Sequence, residues 1–158
     1  NFYPRLYFTK SLKLSTKENI YDLILDVGFD PKEISYINSN NNLNISLDYD
    51  PLSIVKILDW STDKIEFYTE LQTKQFLVIS EIYYPDGWVL KEDNKEYKIY
   101  NVNGILRGAL IPPGKHNFTM SFNPIDVKIG RSISLSIFVL IIFILIFLII
   151  KKRKYGNI

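Results

Sequence analysis

The chain has 158 residues, 47% hydrophobic and 23% charged, enough for one domain with a core plus an appendage. It has no cysteine, which excludes disulfides and thiolate metal sites. Its net charge of +2 conceals a division: four of the 19 basic residues stand at Lys151–Lys154, leaving 15 basic against 17 acidic residues over 1–150, a net of −2 and no nucleic-acid footprint.

The chain opens Asn1-Phe2-Tyr3 without an initiator Met and reads as an internal or processed portion of a longer protein. No basic segment followed by an apolar run marks a signal peptide at this end. "NFYPRLYFTKSLKL" reads as extended, broken at Pro4. "STKENIYDLILDVGFDP" then predicts a helix. Ser15 and Glu18 have capping-box spacing, and Ile20, Leu23, Ile24 and Val27 form one apolar face. Gly28 suits a left-handed exit, and Pro31 bars resumption.

After an Asn-rich loop at 37–44 the period changes to two. Leu43, Ile45, Leu47 and Tyr49 alternate with polar residues, as do Ile65, Phe67, Thr69 and Leu71, and His116, Phe118, Met120 and Phe122. This alternation predicts strands with one face buried. Further strands are expected at 53–60, 76–83, 88–91, 97–102 and 106–111. Turn chemistry separates them: Pro85-Asp86-Gly87, Asn103-Gly104 and Pro112-Pro113-Gly114 each carry a glycine where φ must turn positive. Seven to nine short strands at this spacing predict an antiparallel β-sandwich with one short N-terminal helix.

Residues 133–150, "ISLSIFVLIIFILIFLII", hold no charge, Pro or Gly. As a helix these 18 residues run about 27 Å, close to the hydrocarbon thickness of a bilayer. Apolar on every face and followed by "KKRK", the segment reads as a transmembrane helix rather than a buried core helix. Ser134 and Ser136 can bond back to helix carbonyls. The basic cluster predicts a cytoplasmic C-terminus. The expected organisation is an extracytoplasmic β-sandwich over 1–130, the membrane span over 131–150 and a basic tail over 151–158.

Four blocks carry a family resemblance: "YPRLYF" at 3–8, "FLVISEIYYPDGW" at 76–88, "ILRGALIPPGKHNFTMSFNP" at 105–124 and "GRSISL" at 130–135. In this order they resemble the C-terminal end of the bacterial YfhO family of multi-pass membrane proteins. The likeness covers nearly the whole chain, more loosely over 36–75. It implies an extracytoplasmic β-domain followed by a last transmembrane helix. It also implies similarity to membrane glycosyltransferases that use polyprenyl-phosphate sugars, some acting on cell-wall or lipid-linked polymers. In that architecture the catalytic carboxylate lies in an early loop far upstream, so the resemblance assigns no catalytic residue and no cofactor here. Relatives often carry Asp-Gly-Lys in the hairpin after the Trp. Here "EDNKE" stands at 92–96, which keeps a hairpin through Asp93-Asn94 but carries over no role of that glycine.

The ligand-binding candidates are Tyr83, Tyr84, Trp88 and Arg107. The rings suit C–H faces of sugars, although packing at the sandwich edge is the favoured reading, since alternation puts one tyrosine inside. Arg107 suits a phosphate or carboxylate, or a structural pair with Glu81 or Asp86, which is preferred. His116, the sole histidine, has no nucleophile or carboxylate beside it in sequence, so a structural or turn-linked role is expected. Glu66, Glu70 and Glu81 suggest acid/base sugar chemistry, but Glu66 and Glu70 fall on a wet strand face. The sequons at Asn44 and Asn117 would mean nothing in a bacterial protein.

Two functions follow. The first is an accessory extracytoplasmic domain and last span of a YfhO-like protein, assisting glycosyl transfer from a polyprenyl-phosphate sugar to a cell-envelope acceptor. Its partners would be the bilayer, an upstream membrane core and a lipid-linked sugar or envelope glycopolymer. The second is a single-pass membrane-anchored surface binding or adhesion module. A self-contained hydrolase lacks any nucleophile–base pair.

Overall fold

The computed structural model describes residues 3–38 and 47–155, apart from the side chains of 17, 18 and 152–155. Eleven strands are present among the described residues: β1 (Leu6–Thr9), β2 (Ser11–Ser15), β3 (Ile34–Asn38), β4 (Ile54–Trp60), β5 (Lys64–Leu71), β6 (Gln75–Ile82), β7 (Trp88–Glu92), β8 (Lys95–Tyr97), β9 (Tyr100–Val102), β10 (Leu106–Ile111) and β11 (Gly114–Phe122). A short helix α1 (Lys17–Ile24) lies between β2 and β3, and a long helix α2 (Ile125–Tyr155) follows β11.

The strands form two sheets, ordered β1-β6-β10-β9-β3-β2 and β4-β5-β11-β7-β8. Their facing sides share one core. Leu6, Phe8, Leu77, Ile79, Ala109 and Ile111 come from the first sheet; Ile65, Phe67, Leu71, Leu90, Phe118 and Met120 come from the second. Two apolar faces closing on each other make the fold a β-sandwich, as expected. The alternation read in β5 is reproduced in its burial: Ile65, Phe67, Thr69 and Leu71 are inside and their neighbours half out.

One pairing departs from the antiparallel expectation. β2 and β3 are parallel, with Ser11 opposite Ile34 and Ser15 opposite Asn38. Parallel neighbours need a long crossover, and residues 16–33, including α1, supply it. A further constraint follows from topology. β1 and β2 are opposite edges of the first sheet, yet only Lys10 separates them in sequence. The sheet must therefore curl until its edges meet. Inside the curl lies a second cluster of Tyr7, Ile37, Phe76, Val78 and Val102.

The helix prediction is right in kind and wrong in detail. Thr16 is the N-cap, with no side-chain cap bond, and Ser15 ends β2. The helix stops at Ile24, so Ile20 is buried while Val27 is fully exposed. Gly28 is not left-handed; its N–H is taken by the Asp26 carboxylate, which makes a local turn instead. The predicted strand at Leu43–Tyr49 is absent over 47–49, and the rest of it, with most of the Asn-rich loop and the Asn44 sequon, lies outside the described residues.

The turn residues behave as their chemistry requires. Gly87, Gly104 and Gly114 all have positive φ, as do Asn103 and Asp93. Asp93-Asn94 joins Glu92 to its partner Lys95, so the β7–β8 hairpin survives without glycine.

α2 is described by itself. Its stretch Ile125–Lys151 is long and apolar enough to cross a membrane, with none of it buried. It takes in residues 125–130, which the sequence reading leaves with the sandwich. Ser132 and Ser136 donate to the carbonyls of Lys128 and Ser132, so their hydroxyls are satisfied within the helix.

Candidate functional site

β6 ends at Ile82, and Tyr83–Gly87 carries the chain across to β7 in the other sheet. Trp88, the first residue of β7, stands directly opposite Phe122, the last of β11. Their rings are 5.3 Å apart, and the Tyr84 ring meets Phe122 edge-on at 6.2 Å. Asn123 N–H donates to the carbonyl of Gly87, closing this corner.

Arg107 reaches the same corner from β10. The register slips between Leu106 and Arg107, and a bulge of this kind re-aims a side chain. The guanidinium lies 3.9 Å from the Trp88 ring centroid and is 5% exposed. Its Nε–H donates to the Ile82 carbonyl at 2.9 Å, and Nη1 lies 3.8 Å from the Met120 sulfur. Burial lowers its pKa and the Glu81 charge raises it. The expected pairing with Glu81 or Asp86 is not formed: among the described residues Arg107 has no carboxylate within ion-pair distance. The bulge points it into the sandwich mouth, where a backbone carbonyl, a thioether and an indole face receive it.

Three of the four sequence candidates, Tyr84, Trp88 and Arg107, thus share one rim. Tyr83 joins no ring pair among the described residues, and its N–H donates to the Ile105 carbonyl. Phe122 is the member that sequence reasoning missed. Its alternation with Phe118 and Met120 marked it for the core, but it lies at the mouth and is 39% exposed. Trp88 has Arg107 against one face, while Tyr84 is open at 55% exposure. The rim thus presents an open tyrosine ring, with the Arg107 guanidinium enclosed behind it.

A second polar group lies at the opposite end of the second sheet. Tyr97 Oη–H donates to Glu92 Oε2 at 2.7 Å, and His116 Nδ1 bonds to Glu92 Oε1. His116 Nε2 faces the Pro113 carbonyl at 3.0 Å. The Pro113 carbonyl raises the imidazole pKa, burial opposes that, and Glu92 adds to the rise. Burial raises the Glu92 pKa, but bonds from Tyr97 and His116 outweigh it and hold the carboxyl low. With an acceptor at each ring nitrogen, the doubly protonated imidazolium fits both, and neither nitrogen is free to take a proton from a substrate. His116 is turn-linked, as expected; its carboxylate partner was invisible because it lies 24 residues away.

Glu66 and Glu70 are paired on the surface, and Glu81 forms no ion pair among the described residues. Glu66 meets Lys64 at 2.6 Å, and Glu70 meets Lys115 at 3.0 Å. Such exposed pairs are worth little and are no acid/base couple. Among the described residues no three His, Asp or Glu side chains converge on a metal position.

The family model described as bacterial membrane protein YfhO matches residues 36–134, spanning β3 to the first turns of α2. The Tyr3–Phe8 block of the resemblance lies ahead of that match. No curated protein and no solved structure matches the chain. With well over half of its residues matched, the chain belongs to the YfhO family of bacterial membrane proteins.

Proposed function

We propose that this chain is the extracytoplasmic β-domain and a membrane span of a YfhO family glycosyl-transfer protein, holding a lipid-linked sugar or its acceptor for a catalytic core carried elsewhere in that protein. In this reading residues 1–130 lie outside the cytoplasm, 131–150 cross the bilayer and 151–158 are cytoplasmic. The positive-inside tendency of Lys151–Lys154 supports that orientation. The observation that carries the ligand role is the convergence of Tyr84, Trp88 and Arg107 on one rim. An open ring suits a sugar's C–H face, and a guanidinium suits a phosphate. Tyr83, half-buried beside Tyr84, shapes the connection rather than the contact surface.

The test is sugar transfer from a polyprenyl-phosphate donor by the full-length protein in membranes. Tyr84→Ala is expected to raise KM about tenfold, the loss of roughly 1.4 kcal/mol of ring contact, with kcat little changed. Unchanged KM and kcat would remove the rim from the reaction. The 158-residue chain alone should transfer nothing; turnover by it would overturn the accessory role.

A further inference from the structure

The sandwich has two tryptophans in all, Trp60 and Trp88, and both lie at the same end. Trp60 closes β4 opposite Ile65, which is opposite Met120 on β11; Trp88 opens β7 opposite Phe122. Three strand spacings separate their strands, about 14 Å across the sheet. Each indole carries an arginine. The Arg5 guanidinium lies 4.5 Å from the Trp60 ring centroid, and that of Arg107 lies 3.9 Å from the Trp88 ring. Around them stand apolar side chains that the sandwich leaves in water: Ile82 at 73% exposure, Tyr84 at 55%, Ile105 at 53% and Phe122 at 39%. Ile82 pairs with Leu106, and Ile105 immediately precedes Leu106, so both belong to this mouth as well.

Such a rim is unfavourable in water and matches one environment closely. Indole and phenol rings with an apolar body and a polar edge settle at the headgroup level of a bilayer. Of the two stacked guanidiniums, Arg5 is exposed and can turn its N–H edge to a phosphate oxygen, whereas Arg107 is enclosed and bonded to the Ile82 carbonyl. Chain length brings the two together. Phe122 is the last strand residue, and only Asn123 and Pro124 separate it from Ile125, at most about 11 Å of chain. The 27 residues from Ile125 to Lys151 run about 40 Å as helix, the thickness of the hydrocarbon core with both headgroup layers. Ile125 then falls at headgroup level.

We propose that this end of the sandwich is a lipid-interface collar. Ile82, Tyr84, Ile105 and Phe122 enter the headgroup layer, and the exposed Arg5 guanidinium on Trp60 anchors it to a lipid phosphate, while Arg107 braces Trp88 from within. Charge decides which lipid. Asp59, Asp63, Glu81 and Asp86 sit at the same end with Arg5, Lys64 and Arg107, so there is no basic surplus to attract anionic lipid. The occupant is the zwitterionic phospholipid interface, held by apolar insertion. This inference rests on the membrane span and not on glycosyl transfer.

The experiment uses the whole chain in phosphatidylcholine vesicles whose acyl chains are brominated near the headgroup. Trp60→Phe and Trp88→Phe leave one reporter indole each. Both reporters should lose emission to the shallow bromines, keep it with deep bromines, and behave alike in low and high salt. Ile82→Asp combined with Ile105→Asp should restore emission while the chain still floats with the vesicles. The folded state of each variant is read from the single His116 resonance. Quenching of both indoles by aqueous iodide but not by brominated lipid would overturn the collar. So would quenching that needs anionic lipid or vanishes in salt. Failure to float would instead indict the span, a separate outcome that also removes the tether the collar depends on.

Discussion

His116 is held between the carboxylate of Glu92 and the carbonyl of Pro113, so that each ring nitrogen faces an acceptor. The geometry joins the β7–β8 hairpin to the β10–β11 turn, and Tyr97 secures the far oxygen of Glu92. The His116 pKa is raised above 6.5, so its stabilisation is complete below that value and is lost as pH rises through the folded pKa. The Glu92 pKa is lowered below 4.5, so its stabilisation is complete above that value and is lost as pH falls through the folded pKa. Both are present together between those two values. Denaturation of the detergent-solubilised chain should show a maximum there, with stability falling on the alkaline side as the imidazolium loses its proton. His116→Gln should flatten that side. Because the chain has one histidine, its ring-proton titration reads the same pKa directly, and a midpoint at or below 6.5 would break the argument.

Gly108 is fixed by packing rather than by a turn. A Cβ there would lie 2.5 Å from Phe76 Cε1 and 2.6 Å from Val102 Cγ2, inside the curled sheet. Both neighbours are fully buried, so they can give way only by shifting the surrounding core. Gly108→Ala is expected to destabilise the fold by about 3 kcal/mol. Phe76→Leu in the same chain should recover part of that loss, a non-additivity that thermal or urea denaturation measures.

The parts of this fold that were legible in sequence are those set by neighbours in the chain. β5 alternates because strand geometry alternates, and Gly87, Gly104 and Gly114 mark turns because few residues tolerate positive φ. What stayed hidden depends on distant residues. The parallel pairing of β2 with β3 follows from the curl of the whole sheet, not from either strand's composition. Phe122 continues the alternation of β11, yet exposure there is decided by where the facing sheet ends. Arg107 was paired on paper with Glu81 or Asp86, whereas the bulge before it turns it toward Met120 and Trp88. The candidate site was thus legible as a list of residue types and not as a set of contacts.

Arg107 should prove more structural than its charge suggests. Arg107→Ala strips the donor from the Ile82 carbonyl and the cation from the Trp88 face, at a cost of about 2–4 kcal/mol. Arg107→Lys keeps the charge but not the planar fork and should recover less than half of it. A cycle with Trp88→Phe isolates the stacking, expected at about 1 kcal/mol. A coupling near zero would mean that the 3.9 Å approach contributes nothing.

The span makes the last prediction. Ile142 lies near the middle of the uncharged run at 133–150, and every side chain of that run is exposed to its surroundings in the helix. In lipid each Ile, Leu, Phe and Val of the run contributes favourably, whereas a charge at the helix centre costs about 2.5–3.5 kcal/mol on insertion scales. Ile142→Arg should therefore shift a measurable fraction of the protein from the membrane pellet to the alkaline-carbonate extract. Ile133→Arg, at the end of the run beside Arg131 and Ser132, should not, because a long side chain near a helix end reaches the headgroups. Equal extraction of the two variants would contradict a bilayer-centred span, since depth is the sole difference between them that lipid can sense.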